Sequence, residues 1–430
     1  MTTAALGLDF GTANSAIAAA RPDGTTQLAQ FMDGSVTTST FKSVIYFGPK
    51  RKGVSESAHV VAGPEAVRSY FEADTRGRLI QSVKSFLPSR SFSHTQVFGR
   101  SYTLEELIAI IIRKMKESAV AQFGQIGGRV VVGRPVRFAG AEDDDGEKLA
   151  LTRLQSAVEM AGFNEVAFEF EPIAAAYQYE IGLDHDELVL IGDFGGGTSD
   201  FSLLRLGPSR KSRGRGRRDI LGSDGAPIAG DTFDGRIVRN LVAPKLGLGS
   251  HYYSMGREFT VPAWIYSMLE KWHLVSFLKT PRTLRVIKDV RVSAAEPEKL
   301  DALYHLIQED LGYDLFRAVE ETKVMLSSNA TARFDFRDSS AEMHDTVGRA
   351  AFEGWISPDV QTLASTVGNL LERCGVTYND VDSVFLTGGS SLVPAVRHLF
   401  ESKFGQRRVK SGGELTSVAK GLALCATTSD

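Results

Sequence analysis

Apolar and polar positions along the chain fall into short runs whose period changes several times. Residues 4–31 form three short apolar stretches separated by Gly11–Asn14 and Pro22–Gly24, which predicts three strands and two turns. Ser43–Phe47 predicts another strand inside an irregular stretch, 37–100, that ends near Gly99. Leu104, Leu107, Ile108, Ile111 and Met115 then recur at helical spacing. Thr103 and Glu106 precede them as a capping box, so a helix is expected over Thr103–Ala121. A buried-type strand at Arg129–Gly133, a helix at about Asp144–Ala161 and a strand at Val166–Phe170 follow. Pro172 then suits the first turn of another helix.

The second half restarts the same order. Strand Leu188–Asp193 leads through a glycine turn into strand Phe201–Leu206, with a third strand expected around Asp219–Leu221. Residues 234–317 are helix-rich and include Trp264, Trp272 and an amphipathic Leu300–Leu311 segment. Helices at about Phe316–Leu326 and Asp359–Cys374, a strand at Ser383–Leu386 and a helix at Ser417–Ala426 close the pattern. Alternating strands and helices predict an α/β fold. The repeat predicts two lobes, 1–187 and 188–430, with insertions at about 37–100 and 234–317.

Composition narrows the class. The 430 residues carry 49 Lys and Arg against 52 Asp and Glu, a net charge of −3 that gives no bias toward nucleic acid. Two cysteines, Cys374 and Cys425, lie in no metal-ligand spacing and imply no disulfide framework, which suits a reducing cytoplasm. The N-terminus lacks the basic start of a signal peptide, and the run Leu107–Ile112 is too short to span a bilayer, so no membrane association is expected. Glu142–Asp145 places four acids before a helix, where they favour its N-terminus. The basic run Lys211–Arg218 suits a solvated hairpin loop, with docking of an acidic partner or nucleic acid as the alternative.

The chemistry concentrates in two aspartate turns. Leu6–Thr12 and Leu190–Asp200 each run from an apolar strand through Asp into a Gly/Thr turn and on to a second strand. Glycine lets backbone N–H donors approach a phosphate chain closely. Thr12 and Thr198 add hydroxyl donors. Asp9 and Asp193 suit Mg²⁺, which keeps most of its waters and takes few carboxylates. Neither turn has Walker or Rossmann spacing. In such sheets ligands bind at the carboxyl ends of strands, where these turns and a third, Thr387–Ser390, fall.

Together these turns resemble the paired phosphate motifs of the actin-like ATPase superfamily. Glu171–Ala176, Ala229–Asp234, Glu320–Ser328 and Phe385–Ser390 narrow the resemblance to DnaK-type (heat-shock-70) chaperones, in particular the short, YegD-type members. That resemblance implies a ribonuclease H-like, duplicated ATPase fold with a nucleotide cleft, and ATP or ADP with Mg²⁺ as ligands. On it, Gly11, Thr12, Ala13 and Asn14 and Gly195, Gly196, Gly197 and Thr198 would hold the phosphates. Asp9 and Asp193 would hold Mg²⁺ through water, and Asp200 would orient the attacking water. Lys84, in Ser82–Leu87, is the catalytic lysine candidate, and an exposed lysine of no special role is the alternative. Gly230, Asp231, Glu320, Lys323, Val324, Ser327, Gly388, Gly389, Ser390 and Leu392 would face the nucleoside. Pro135 and Glu171 match the family's proline switch and its partner; a strand end and a helix start explain them as well.

Four departures accompany the match. Ala13 replaces a second hydroxyl, and Val324 and Leu392 stand where the family stacks adenine between arginines. The chain ends at Asp430 after its last helix, so the peptide-binding module is not expected. The expected activity is a slowly hydrolysing, chaperone-related ATPase switch, monomeric, with an unidentified protein partner or client. A rod-shape-type filament protein, a nucleotide sensor without turnover and a small-molecule kinase using Asp231 or Asp234 stay open.

Overall fold

The computed structural model describes residues 4–21, 23–49, 59–73, 77–124, 126–209, 217–338, 341–413 and 415–428. Most of the basic run Lys211–Arg218 lies outside them. Two compact units result: residues 1–227, 363–391 and 398–430, and residues 228–362 and 392–397. These follow compactness, whereas the 187/188 boundary follows the repeat, and both main sheets fall in the first unit.

The first sheet is built from β1 (Ala4–Asp9), β2 (Asn14–Ala20), β3 (Thr26–Leu28), β4 (Ile126–Arg134) and β5 (Glu165–Phe170) in the order β3-β2-β1-β4-β5. Pairs β1–β2 and β2–β3 are antiparallel; β1–β4 and β4–β5 are parallel. The second sheet is built from β6 (Glu187–Phe194), β7 (Ser199–Leu206), β8 (Ile220–Ala226), β9 (Ser383–Thr387) and β10 (Val409–Ser411) in the order β8-β7-β6-β9-β10. Its pairings repeat the first: antiparallel on one side of β6, parallel on the other. Strand order and direction thus both demonstrate the duplication. Val130–Val132 in β4 and all of β6 are buried, as continuous apolar strands covered on both faces must be.

Helices α1 (Leu104–Phe123) and α2 (Asp144–Met160) cover the first sheet with Leu107, Ile108, Ile111, Ile112 and Leu154. The Thr103 cap forms as expected: Glu106 N–H donates to Thr103 Oγ1 at 3.2 Å and Thr103 N–H to Glu106 Oε2 at 2.8 Å. Such a cap stabilises a helix by about 1 kcal/mol. Helices α3 (Glu171–Glu180) and α4 (Ser417–Thr428) cross closely. Small residues permit it. A Cβ on Gly421 would overlap the Ala174 carbonyl, and one on Gly7 would overlap the backbone at Ala423. α4 packs on β1, β2 and β4 through Ala16, Ala18, Ala419 and Ala423, while α3 packs on β6 and β7.

The 37–100 insertion contains a three-stranded sheet, His59–Ala62, Val44–Gly48 and Arg78–Gln81, with helix Pro64–Glu72 and hairpin His94–Thr103. The second unit is mainly helical, as the 234–317 pattern predicts, but adds two hairpins. His251–Ser254 pairs with Arg257–Thr260, and Thr331–Asp338 with Ala341–Gly348.

Candidate active site

Three glycine turns stand at the carboxyl ends of β1, β6 and β9. In the first, a Cβ on Gly11 would overlap the Asn14 carbonyl, so the turn requires glycine. Gly11 N–H donates to Ser15 Oγ at 3.1 Å. In the second, Gly195 N–H donates to the Thr198 carbonyl at 3.0 Å, and Asp193 and Asp200 face each other in register. A Cβ on Gly197 would lie 3.3 Å from Thr12 Oγ1, so the first two turns approach closely. In the third, Gly388 adopts φ +82° and presses on the Phe194 backbone, while Ser390 Oγ donates to the Gly195 carbonyl at 3.1 Å. Thus Thr12, Gly195–Thr198 and Gly388–Ser390 belong to one constellation within the first unit.

Beneath the turns lies an unbalanced charge cluster. Lys84, buried in the short helix Val83–Phe86, places Nζ 2.8 Å from Glu171 Oε1. Burial alone would lower the Lys84 pKa, but Glu171, Asp9 and Asp200 outweigh it and hold the amine protonated. Burial first, then the Glu171 charge, pushes Asp9 up to about 7, against the opposing pull of Lys84. The same two causes raise Asp200 to about 7, opposed by the Thr198 hydroxyl, the Val136 amide and Lys84. Asp193 is pushed well above the usual carboxylate range by burial and then by Glu171, Asp9 and Asp200. Among the described residues, four carboxyl groups therefore share one lysine. Among the described residues no group of three or more His, Cys, Asp or Glu is arranged to cage a metal directly.

Asp200 also joins the two sheets. Its Oδ1 accepts the Val136 N–H at 2.7 Å, one residue after Pro135 and at the exit of β4. Glu171 opens α3, and its Cγ lies 3.1 Å from where a Cβ on Gly133 would sit. The Lys84–Glu171 pair is a contact that the motifs alone do not anticipate, since it links an insertion to a helix start 87 residues later.

The second unit gathers a different set. Lys323 Nζ lies 2.7 Å from Asp234 Oδ2 and 3.3 Å from the Gly230 carbonyl. Burial pushes Asp231 up to about 7, with Asp234 adding to it, and Asp234 up to about 6, where Lys323 opposes the rise. Lys323 stays protonated because Asp234, Glu320 and Asp231 outweigh its burial. Ser327 Oγ donates back to the Lys323 carbonyl at 3.3 Å. Val324 and Leu392 are 60% and 55% exposed, respectively.

Two sheets of one order, each ending in an aspartate and a glycine turn, define an actin-like ATPase fold. A family model described as "Hsp70 protein" matches residues 5–245 and 308–429, and the chain belongs to the Hsp70 family. The members of that family bind ATP and ADP, are ATPases and act as chaperones. The matched stretches flank residues 246–307, which hold the first hairpin of the second unit. No helix among the described residues is long and apolar enough to cross a membrane.

Proposed function

We propose that this chain is an Mg-ATP-binding, slowly hydrolysing module whose nucleotide state is read by a protein partner. The observation that carries this reading is the buried excess of carboxylate beside Lys84 under three glycine turns. Such an arrangement is costly unless a cation and its ligand complete it. The residues fit Mg²⁺: Asp9 and Asp193 would hold it through its waters, and when bound it would offset phosphate charge.

The chain's own groups have separable roles. Thr12 and the turns Gly11–Asn14 and Gly195–Thr198 present donors to the phosphates. Lys84, protonated and held by Glu171, offsets negative charge at the terminal phosphate. Asp200 orients the attacking water. Lys323, Glu320 and Ser327 are the candidate nucleoside contacts of the second unit. Because Glu171 opens α3 and Asp200 holds the Val136 amide, a ligand drawing on either group also pulls on a structural element. That coupling is the basis for a switch.

A sensor without turnover is the second reading. Ala13 offers the phosphates no hydroxyl, and the aliphatic Val324 and Leu392 weaken base stacking. Titration calorimetry with Mg-ATP separates the readings from their failure. Wild type should bind, and Asp193→Asn should lose the Mg²⁺ dependence of binding. Absence of wild-type binding would end both readings. We further propose a cytoplasmic monomer. Light scattering should give the monomer mass with and without ATP, and ATP-driven pelleting would favour filaments instead.

A further inference from the structure

The first glycine turn is braced from below by two buried serines that neither the motifs nor the charge cluster account for. Ser15 opens β2, and its Oγ accepts the Gly11 N–H at 3.1 Å. Ser15 Oγ lies 2.8 Å from Ser43 Oγ, so one hydroxyl donates to the other. The Ser43 N–H in turn donates to the Ala13 carbonyl at 2.9 Å. Both serines are essentially inaccessible to solvent. The turn is therefore tied at Gly11 and at Ala13, on either side of Thr12.

Ser43 has a second connection. It stands between Phe41–Lys42, which pairs with β2 at Ser15 and Asn14, and strand Val44–Gly48. Val44 pairs with Gln81 of the neighbouring strand Arg78–Gln81. Three residues beyond Gln81 is Lys84, held in place by Glu171. Ser43 thus bonds the phosphate turn through its backbone amide, steadies Ser15 through its hydroxyl, and reaches the lysine-bearing segment through a single strand pairing.

We propose that Ser43, acting through Ser15, is a positioning residue that fixes the Gly11–Asn14 turn relative to Lys84 for phosphate binding. The inference rests on the ATP-binding reading above. Its physical basis is preorganisation: a turn already held in its binding shape loses less freedom when phosphate arrives. The brace matters more here because Ala13 supplies no hydroxyl of its own. It acts on phosphates, since both serines bond the Gly11–Asn14 turn and each other.

Calorimetric titration of Ser43→Ala with ATP and with adenosine, both with Mg²⁺, tests it. ATP affinity should fall about three- to tenfold, the equilibrium worth of one neutral hydrogen bond, while adenosine affinity stays unchanged. Ser15→Ala should show the same pattern, and the double variant should lose no more than the worse single one, because both break one chain of bonds. Should Ser43→Ala fail to fold, Ser15→Ala alone carries the same ATP-against-adenosine comparison. Unchanged ATP affinity overturns the proposal. Equal losses for ATP and adenosine, or additive losses in the double variant, overturn it as well. If wild type binds neither ligand, it is the ATP-binding reading that fails.

Discussion

Replacing Asp200 by Asn should make the ligand-free protein gain stability relative to wild type as pH rises. Asp200 is 1% exposed and its carboxyl is raised from 3.8 to about 7, mainly by burial and then by Glu171. A carboxyl raised on folding binds its proton more tightly in the folded state. It therefore subtracts stability progressively between about pH 4 and pH 7 and by a constant amount above. A tenfold change in proton affinity corresponds to about 1.4 kcal/mol, so the rise from 3.8 to about 7 bounds the penalty at about 4 kcal/mol. Asp9 and Asp193 titrate in the same cluster, and protonating any one of them relieves the others. The share that Asp200→Asn recovers between pH 5 and pH 8 is then about 1–2 kcal/mol. The amide oxygen can still accept the Val136 N–H, so the bond between sheets survives. Urea unfolding of both proteins without nucleotide or Mg²⁺, at pH 5 and pH 8, measures the difference. Only its change with pH matters, which cancels any constant cost of the substitution. A difference that is the same at both pH values would refute the charge imbalance.

Other parts of the molecule are open to equally direct tests. Val324→Arg or Leu392→Arg should tighten ATP binding about fivefold each by restoring a cation–π contact worth on the order of 1 kcal/mol. Tripolyphosphate affinity in the same titrations should not change; an equal gain there would reveal a mere charge effect. Gly421→Ala should destabilise the protein by about 3 kcal/mol or more, because its Cβ would overlap the Ala174 carbonyl where α3 and α4 cross. Thermal unfolding within about a degree of wild type would contradict that packing.

The two sheets were legible because strand, turn and strand recur in order, and each turn is written in glycine and aspartate. The capped helix α1 was legible for the same reason: Thr103 and Glu106 act locally. The Thr331–Asp338 hairpin strand was not expected, although it alternates exposed and buried residues cleanly, with Ala332, Phe334 and Phe336 inward. Helix Arg349–Arg373 begins well before the expected start at Asp359 and carries Pro358 in its interior, a position that proline rarely occupies. Asp9, Asp193 and Asp200 stood out individually, but their shared shortage of positive charge did not. That property depends on burial and on Glu171, whose pairing with Lys84 is set by tertiary structure. The Ser15–Ser43 bond carried no signal, since a serine pair 28 residues apart looks like any other until the fold closes.

The most direct test of the central claim is single-turnover hydrolysis of Mg-ATP by wild type and Lys84→Ala. Wild type should convert bound ATP to ADP and phosphate. Lys84→Ala should still bind ATP but hydrolyse it at least about a hundredfold more slowly, as expected when a cation at the reacting phosphate is lost. Wild type that binds Mg-ATP yet hydrolyses it no faster than Lys84→Ala would contradict the account and leave a sensor without turnover.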